Sequence, residues 1–145
     1  MKTFVIDASV IIKWVFPERN NEDHIPQAVH LLKVIKQGAI KIIQPSHWLA
    51  EAAAVIVRLE PDIAIETIGI LNSMELPTIE TLEVYQIACQ LSRKLNHHLF
   101  DTLYHAIALS HINTTLITAD EQYYRKAQKL GSIVRLAEFS FFDLS

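Results

Sequence analysis

Thr3-Phe4-Val5-Ile6-Asp7 and, far along the chain, Leu116-Ile117-Thr118-Ala119-Asp120 decide how this sequence is read. Each is a short apolar run closed by an aspartate. The apolar part reads as a buried strand, bounded by residues that do not continue it. The acid then stands at the strand's end, where burying a carboxylate is costly unless it is paired or holds a cation. Two further acids share these surroundings. Glu51 interrupts Trp48-Leu-Ala-Glu51-Ala-Ala-Ala-Val55, and Asp101 opens Phe100-Asp101-Thr-Leu-Tyr104. Four such sites in one small chain point to a common occupant, and a hard divalent cation is the simplest.

Outward from the first run, strands and helices alternate. Residues 3–7 form a strand and 8–16 a helix, followed by the polar loop 17–24. Ala28, Leu31, Leu32 and Ile35 follow the i, i+3, i+4, i+7 rule of an amphipathic helix, which Gly38 ends. Residues 40–43 give a second strand, stopped by Pro45. Ser46 is suited to cap the helix that carries Glu51. Pro61 ends that helix and opens the next, which runs through about Asn72. Residues 77–80 read as a weak third strand. A helix over 82–95 presents Tyr85, Ala88, Ser92 and Leu95 on one face, and a short helix spans 101–111. A fourth strand covers 115–118, a helix 121–130 and a fifth strand 133–136. This alternation predicts an α/β domain with a parallel sheet and helices on both faces.

The 145 residues suit one domain with a substantial core, so 1–145 is read as a single unit. Half of the residues are hydrophobic and only three are glycine, which excludes disorder. Asp7 cuts the apolar start short, so no signal peptide is expected, and no apolar run is long enough to span a membrane. A soluble cytoplasmic protein is the expectation. Cys89 is the only cysteine, which rules out an internal disulfide and gives no Cys-based zinc site. The net charge is −3, from 13 basic and 16 acidic side chains. With four of the 16 acids set aside as metal ligands, 12 remain against 13 basic groups, close to neutrality. A nucleic-acid substrate is therefore allowed, but the basic footprint of a tight DNA binder is missing.

In an open parallel sheet, ligands collect beyond the carboxyl ends of the strands. Asp7 and Asp120 lie at two such ends, and Glu51 and Asp101 lie at helix starts. Carboxylates crowded together raise one another's pKa until a cation arrives. Mg²⁺ favours a few carboxylates together with water and phosphate oxygens. Such a centre activates water for phosphodiester hydrolysis. The sequence has no Ser–His–Asp spacing and no glycine-rich phosphate loop. Each acid also has a plain reading. Asp7, Asp101 and Asp120 are each suited to cap a helix, and Arg58 lies two turns beyond Glu51.

In order and spacing, Asp7-Ala-Ser9 after a first strand, helical Glu51, Asp101-Thr-Leu-Tyr-His-Ala-Ile-Ala108 and Thr118-Ala-Asp120 resemble a PIN domain. The short single domain most closely resembles the VapC-type toxins of bacterial toxin–antitoxin pairs. The resemblance runs to Leu136-Ala-Glu-Phe139. It implies a three-layer fold with a five-stranded parallel sheet in the order 3-2-1-4-5. It also implies an endoribonuclease dependent on Mg²⁺ or Mn²⁺. Asp7, Glu51, Asp101 and Asp120 map onto the family's acidic quartet, and Ser9 and Thr118 onto its small hydroxyl positions, which hold waters or orient carboxylates. A cognate antitoxin and a homodimer are the implied partners.

Several other groups stand near these motifs. Tyr104 and His105 share a helix face with Asp101, where they would contact RNA, orient Asp101 or pack between helices. Lys13, Arg93 and Lys94 are candidate phosphate contacts or plain surface. His97-His98 reads as a solvated turn, with soft-metal binding as the alternative. Trp14, Phe16, Phe139, Phe141 and Phe142 serve the core, or in the tail a dimer or antitoxin groove. The competing functional reading is a PIN-like module that binds RNA or protein without cutting. A haloacid-dehalogenase-like phosphatase ranks last, because that chemistry needs a second Asp two residues after Asp7 and position 9 is serine. A duplex-DNA nuclease would need more basic segments.

Overall fold

The computed structural model describes residues 1–18 and 23–139. β1 (Thr3–Ile6) is the centre of the sheet, paired in parallel with β2 (Lys41–Ile42) and with β5 (Thr114–Thr118). β6 (Ile133–Arg135) pairs in parallel with β5, giving the order β2-β1-β5-β6. Successive residues of a strand point to opposite faces. Phe4, Val5 and Ile6 are all fully buried, so both faces of β1 are covered.

The expected five-stranded sheet is not seen as one ladder. The second strand breaks, and its continuation β3 (Gln44–Pro45) pairs in parallel with β4 (Thr78–Ile79) as a separate two-stranded unit. Gln44 causes the break. The Ile43 amide still donates to the Phe4 carbonyl, but the Gln44 amide turns to Pro77 O at 2.8 Å. The Gln44 side chain then substitutes for the backbone beside β1. Its Oε1 accepts from Ile6 N at 2.7 Å, and its Nε2 donates to Ile6 O at 2.9 Å. Pro45 has no N–H with which to resume the ladder.

The helices are α1 (Ala8–Val15), α2 (Ile25–Lys36), α3 (Trp48–Leu59), α4 (Ala64–Asn72), α5 (Leu82–Leu95), α6 (Leu99–Ser110) and α7 (Glu121–Ala127). α1 packs on α2 and α3, while α6 runs along β1 and β5 with α5 against it. Gly38 does end α2, at φ +70, a conformation that favours glycine. Thr81 caps α5 by accepting from Val84 N. The cap proposed for Ser46 is not formed. α3 starts at Trp48 with His47 as its cap residue, and no side chain caps it. The helix expected over 121–130 relaxes to a 3₁₀ turn at Gln128–Leu130, and the fifth strand stops at Arg135, where another 3₁₀ turn begins.

The core reading holds for the described aromatics. Phe16 and Phe139 are buried, Phe139 edge-on to Phe4, and half-buried Trp14 donates to Ala28 O. Phe141 and Phe142 lie outside the described residues. No helix among the described residues is long and apolar enough to cross a membrane.

Candidate metal centre

The carboxyl ends of β1 and β5 lie side by side, with Asp7 N donating to Ile117 O. Asp7 leaves β1 in an extended conformation and caps α1, its Oδ2 accepting from Ser9 N and from Ser9 Oγ. Ser9 Oγ also accepts from Ala119 N at 3.0 Å, which ties the ends of the two strands together. Thr118 Oγ1 accepts from Asp120 N, and Asp120 Oδ1 caps α7 by accepting from Tyr123 N. The two hydroxyls thus fix the turns that deliver the carboxylates. Capping and convergence are both true of Asp7 and Asp120. Asp101 is no cap, because His98 holds that place and Asp101 sits in the first turn of α6.

Glu51 arrives from the first turn of α3. Its Oε1 accepts from Tyr104 Oη at 3.2 Å, and its Oε2 lies 3.5 Å from His47 Nε2, which donates to Phe100 O at 2.9 Å. These groups, rather than Arg58, are its neighbours. Oxygens of Asp7, Glu51 and Asp101 lie within 4.8 Å of one another, and donor atoms of His97, Asp101 and Asp120 do likewise. Asp101 is common to both triads. All four acids therefore border one hollow of about 390 Å³, with Ser9 and Lys13 in its wall. They also stand at the N-terminal ends of four helices, whose dipoles favour negative charge there.

That help is incomplete. Burial, followed by the charges of Asp101 and Glu51, pushes the Asp7 carboxyl up to about 7 against the pull of Ser9. Burial and then Glu51 also raise Asp101, while His97 opposes them. Burial and the neighbouring carboxylates raise Tyr104, which stays a neutral donor to Glu51. Converging oxygen donors whose protonation is raised by their own crowding fit a hard divalent cation.

The packing reading of Tyr104 and His105 holds, while three other expectations need correction. Tyr104 and His105 are both fully buried, so neither ring has surface to offer RNA. Tyr104 orients Glu51 rather than Asp101. His105 Nε2 donates to Gly131 O, and its Nδ1 accepts from Tyr123 Oη, a pairing that needs the neutral ring; burial lowers its pKa accordingly. The third correction concerns His97, which is not solvated. Its side chain is 7% exposed, with Nε2 2.9 Å from Asp101 Oδ2 and 4.0 Å from Asp120 Oδ2. Lys126 Nζ lies 3.2 Å from Nδ1, so Nδ1 accepts and Nε2–H points at Asp101. His98 beside it is exposed, as expected. Lys13 is buried in the hollow's wall rather than spread on the surface. His47 is a neighbour of the site that sequence reasoning missed, and His97 is one it read as solvated. Both stand four residues before an acid of the quartet, and that spacing was the available signal.

Comparison with known proteins agrees with this geometry. No curated protein matches the sequence. A solved structure of VapBC-1 from nontypeable Haemophilus influenzae is similar in fold, with a TM-score of 0.59 at 13% identity, covering 94% of this chain and 99% of that one. The PIN domain family matches residues 4–129, a span that covers most of the chain and contains Asp7, Glu51, Asp101 and Asp120. The chain belongs to the PIN-domain family.

Proposed function

We propose that the chain is an endoribonuclease dependent on Mg²⁺ or Mn²⁺ and the toxin of a toxin–antitoxin pair. The observation that carries this reading is the meeting of Asp7, Glu51 and Asp101 oxygens within 4.8 Å, with Asp120 joined to them through His97. Asp7, Glu51, Asp101 and Asp120 would hold the cation. When bound, it supplies an acidified water and screens charge growing on the phosphate. The chain's own groups place these ligands. Ser9 fixes Asp7, Tyr104 fixes Glu51, and His97 fixes Asp101 by donating from Nε2. Lys13, in the same wall, supplies positive charge for the substrate's phosphate.

The expected partners are an antitoxin and a second copy of the chain, acting in the cytoplasm. A groove of about 370 Å³ between α1, α2 and α4, bordered by Trp14, Leu32, Ile63 and Ile70, supports a protein partner. Ile63, Ile65 and Ile70 are exposed beside it.

The test uses purified, partner-free chain and a mixed set of end-labelled RNAs, with Mn²⁺, Mg²⁺ or EDTA. Cleavage that needs metal and vanishes in Asp7→Ala is expected. Retained cleavage in that variant sinks the assignment. Binding without cleavage under any condition favours the non-catalytic RNA- or protein-binding module.

A further inference from the structure

Behind His97 lies a second hollow of about 530 Å³, bordered by Ser92, Asn96, His97, His98, Gln122 and Lys126. Among the described residues no carboxylate lines it, although the acidic hollow is one side chain away. His97 borders this hollow and meets the acidic one through Asp101, with Nε2 toward Asp101 and Nδ1 toward Lys126. We propose that this hollow is a phosphate subsite, which seats the backbone of the RNA strand next to the nucleotide at the metal centre. The inference rests on the ribonuclease reading above.

The lining chemistry selects the ligand. Lys126 Nζ donates to Asn96 O at 3.1 Å and to His97 Nδ1 at 3.2 Å. An ammonium has three N–H donors, so one remains for an incoming oxygen. Asn96 ends α5 in the left-handed conformation, at φ 50, where its carbonyl meets Lys126. The amides of Asn96 and Gln122 and the ring of exposed His98 add polar atoms around that cation. A site with a cation, several N–H groups and no carboxylate suits a phosphodiester's free oxygens. It lacks the carboxylates on which a hard-metal site relies. In a chain of net charge −3, a cationic seat beside the acidic centre is also where a polyanion can be gripped. The rival role for Lys126 is a clamp that merely holds α7 against the turn between α5 and α6.

Binding of a labelled single-stranded RNA oligonucleotide to the full chain, measured by fluorescence anisotropy in Mg²⁺ across a salt series, separates the two roles. The chain carries Asp7→Asn so that the RNA stays intact. Lys126→Ala should weaken binding by roughly tenfold and lower the slope of log affinity against log salt by about 0.7, the share of a single neutralised phosphate. Lys126→Arg should keep both. Gln122→Glu keeps Lys126, sits on the exposed side of α7 and puts a negative charge in the hollow, so it should also weaken binding. A mere clamp predicts lower stability in Lys126→Ala and no effect of Gln122→Glu on affinity. Unchanged affinity and slope in both variants, with metal-dependent cleavage by the unsubstituted chain, overturn the subsite and leave the nuclease standing. An unsubstituted chain that neither cleaves nor binds RNA overturns both.

Discussion

Asp7 shows most directly how the site couples charge to folding. Its carboxyl is raised from 3.8 to about 7, chiefly by burial. A raised folded pKa means the native state holds the proton that the unfolded chain releases. Its stabilising effect is therefore complete below about pH 4 and is lost as pH rises through about 7. Metal-free protein should melt at a lower temperature at pH 8 than at pH 5, and Asp7→Asn should flatten that dependence; calorimetry across this range checks both. Added Mg²⁺ should raise the melting temperature more at pH 8, because the ligands must be deprotonated. At the same scale, His97→Ala should weaken Mn²⁺ binding roughly 10- to 100-fold by freeing Asp101, as removal of an orienting neighbour does elsewhere. Isothermal titration reads this directly, and unchanged affinity would remove His97 from the site. The four acids were legible in the sequence because each stands in apolar or small-residue surroundings. His47 and His97 were not, because each precedes its helix and reaches its acid from the turn before.

At the scale of elements, the break between β2 and β3 decides where the sheet ends. No periodicity announces it, since residues 40–43 read as one strand that Pro45 stops. The signal is a side chain, Gln44, fully buried and matched to both polar groups of Ile6. Gln44→Met keeps the size and strands two buried backbone groups. It should cost about 2–6 kcal/mol, given about 1–3 kcal/mol for each unsatisfied group, and a urea titration measures it. A change below about 1 kcal/mol would mean that water replaces the amide. α6 gave the opposite difficulty. Thr102 to Ala108 are all buried, so shared-face reasoning could not tell a ligand face from a packing face. Tyr104→Phe removes only the hydroxyl on Glu51. It should leave the fold intact and lower metal affinity several-fold, as titration calorimetry of folded protein would show.

Across the whole molecule, one arrangement serves both folding and chemistry. Parallel strands β1 and β5 end together, and α1, α3, α6 and α7 all begin at that edge. The strand–helix alternation made this organisation readable, because crossovers in a parallel sheet return the chain to the same edge. The spacing of the acids in the sequence, 44, 50 and 19 residues apart, could not by itself show that they meet. Folding closes those gaps to within 4.8 Å for Asp7, Glu51 and Asp101. The central claim is that this convergence exists to hold a divalent cation. Crystals soaked in Mn²⁺ and measured at the manganese edge test it most directly. An anomalous peak among the oxygens of Asp7, Glu51 and Asp101, absent from Asp7→Ala crystals, is the predicted result. Diffracting crystals with no peak there, or with manganese bound only elsewhere, would contradict it.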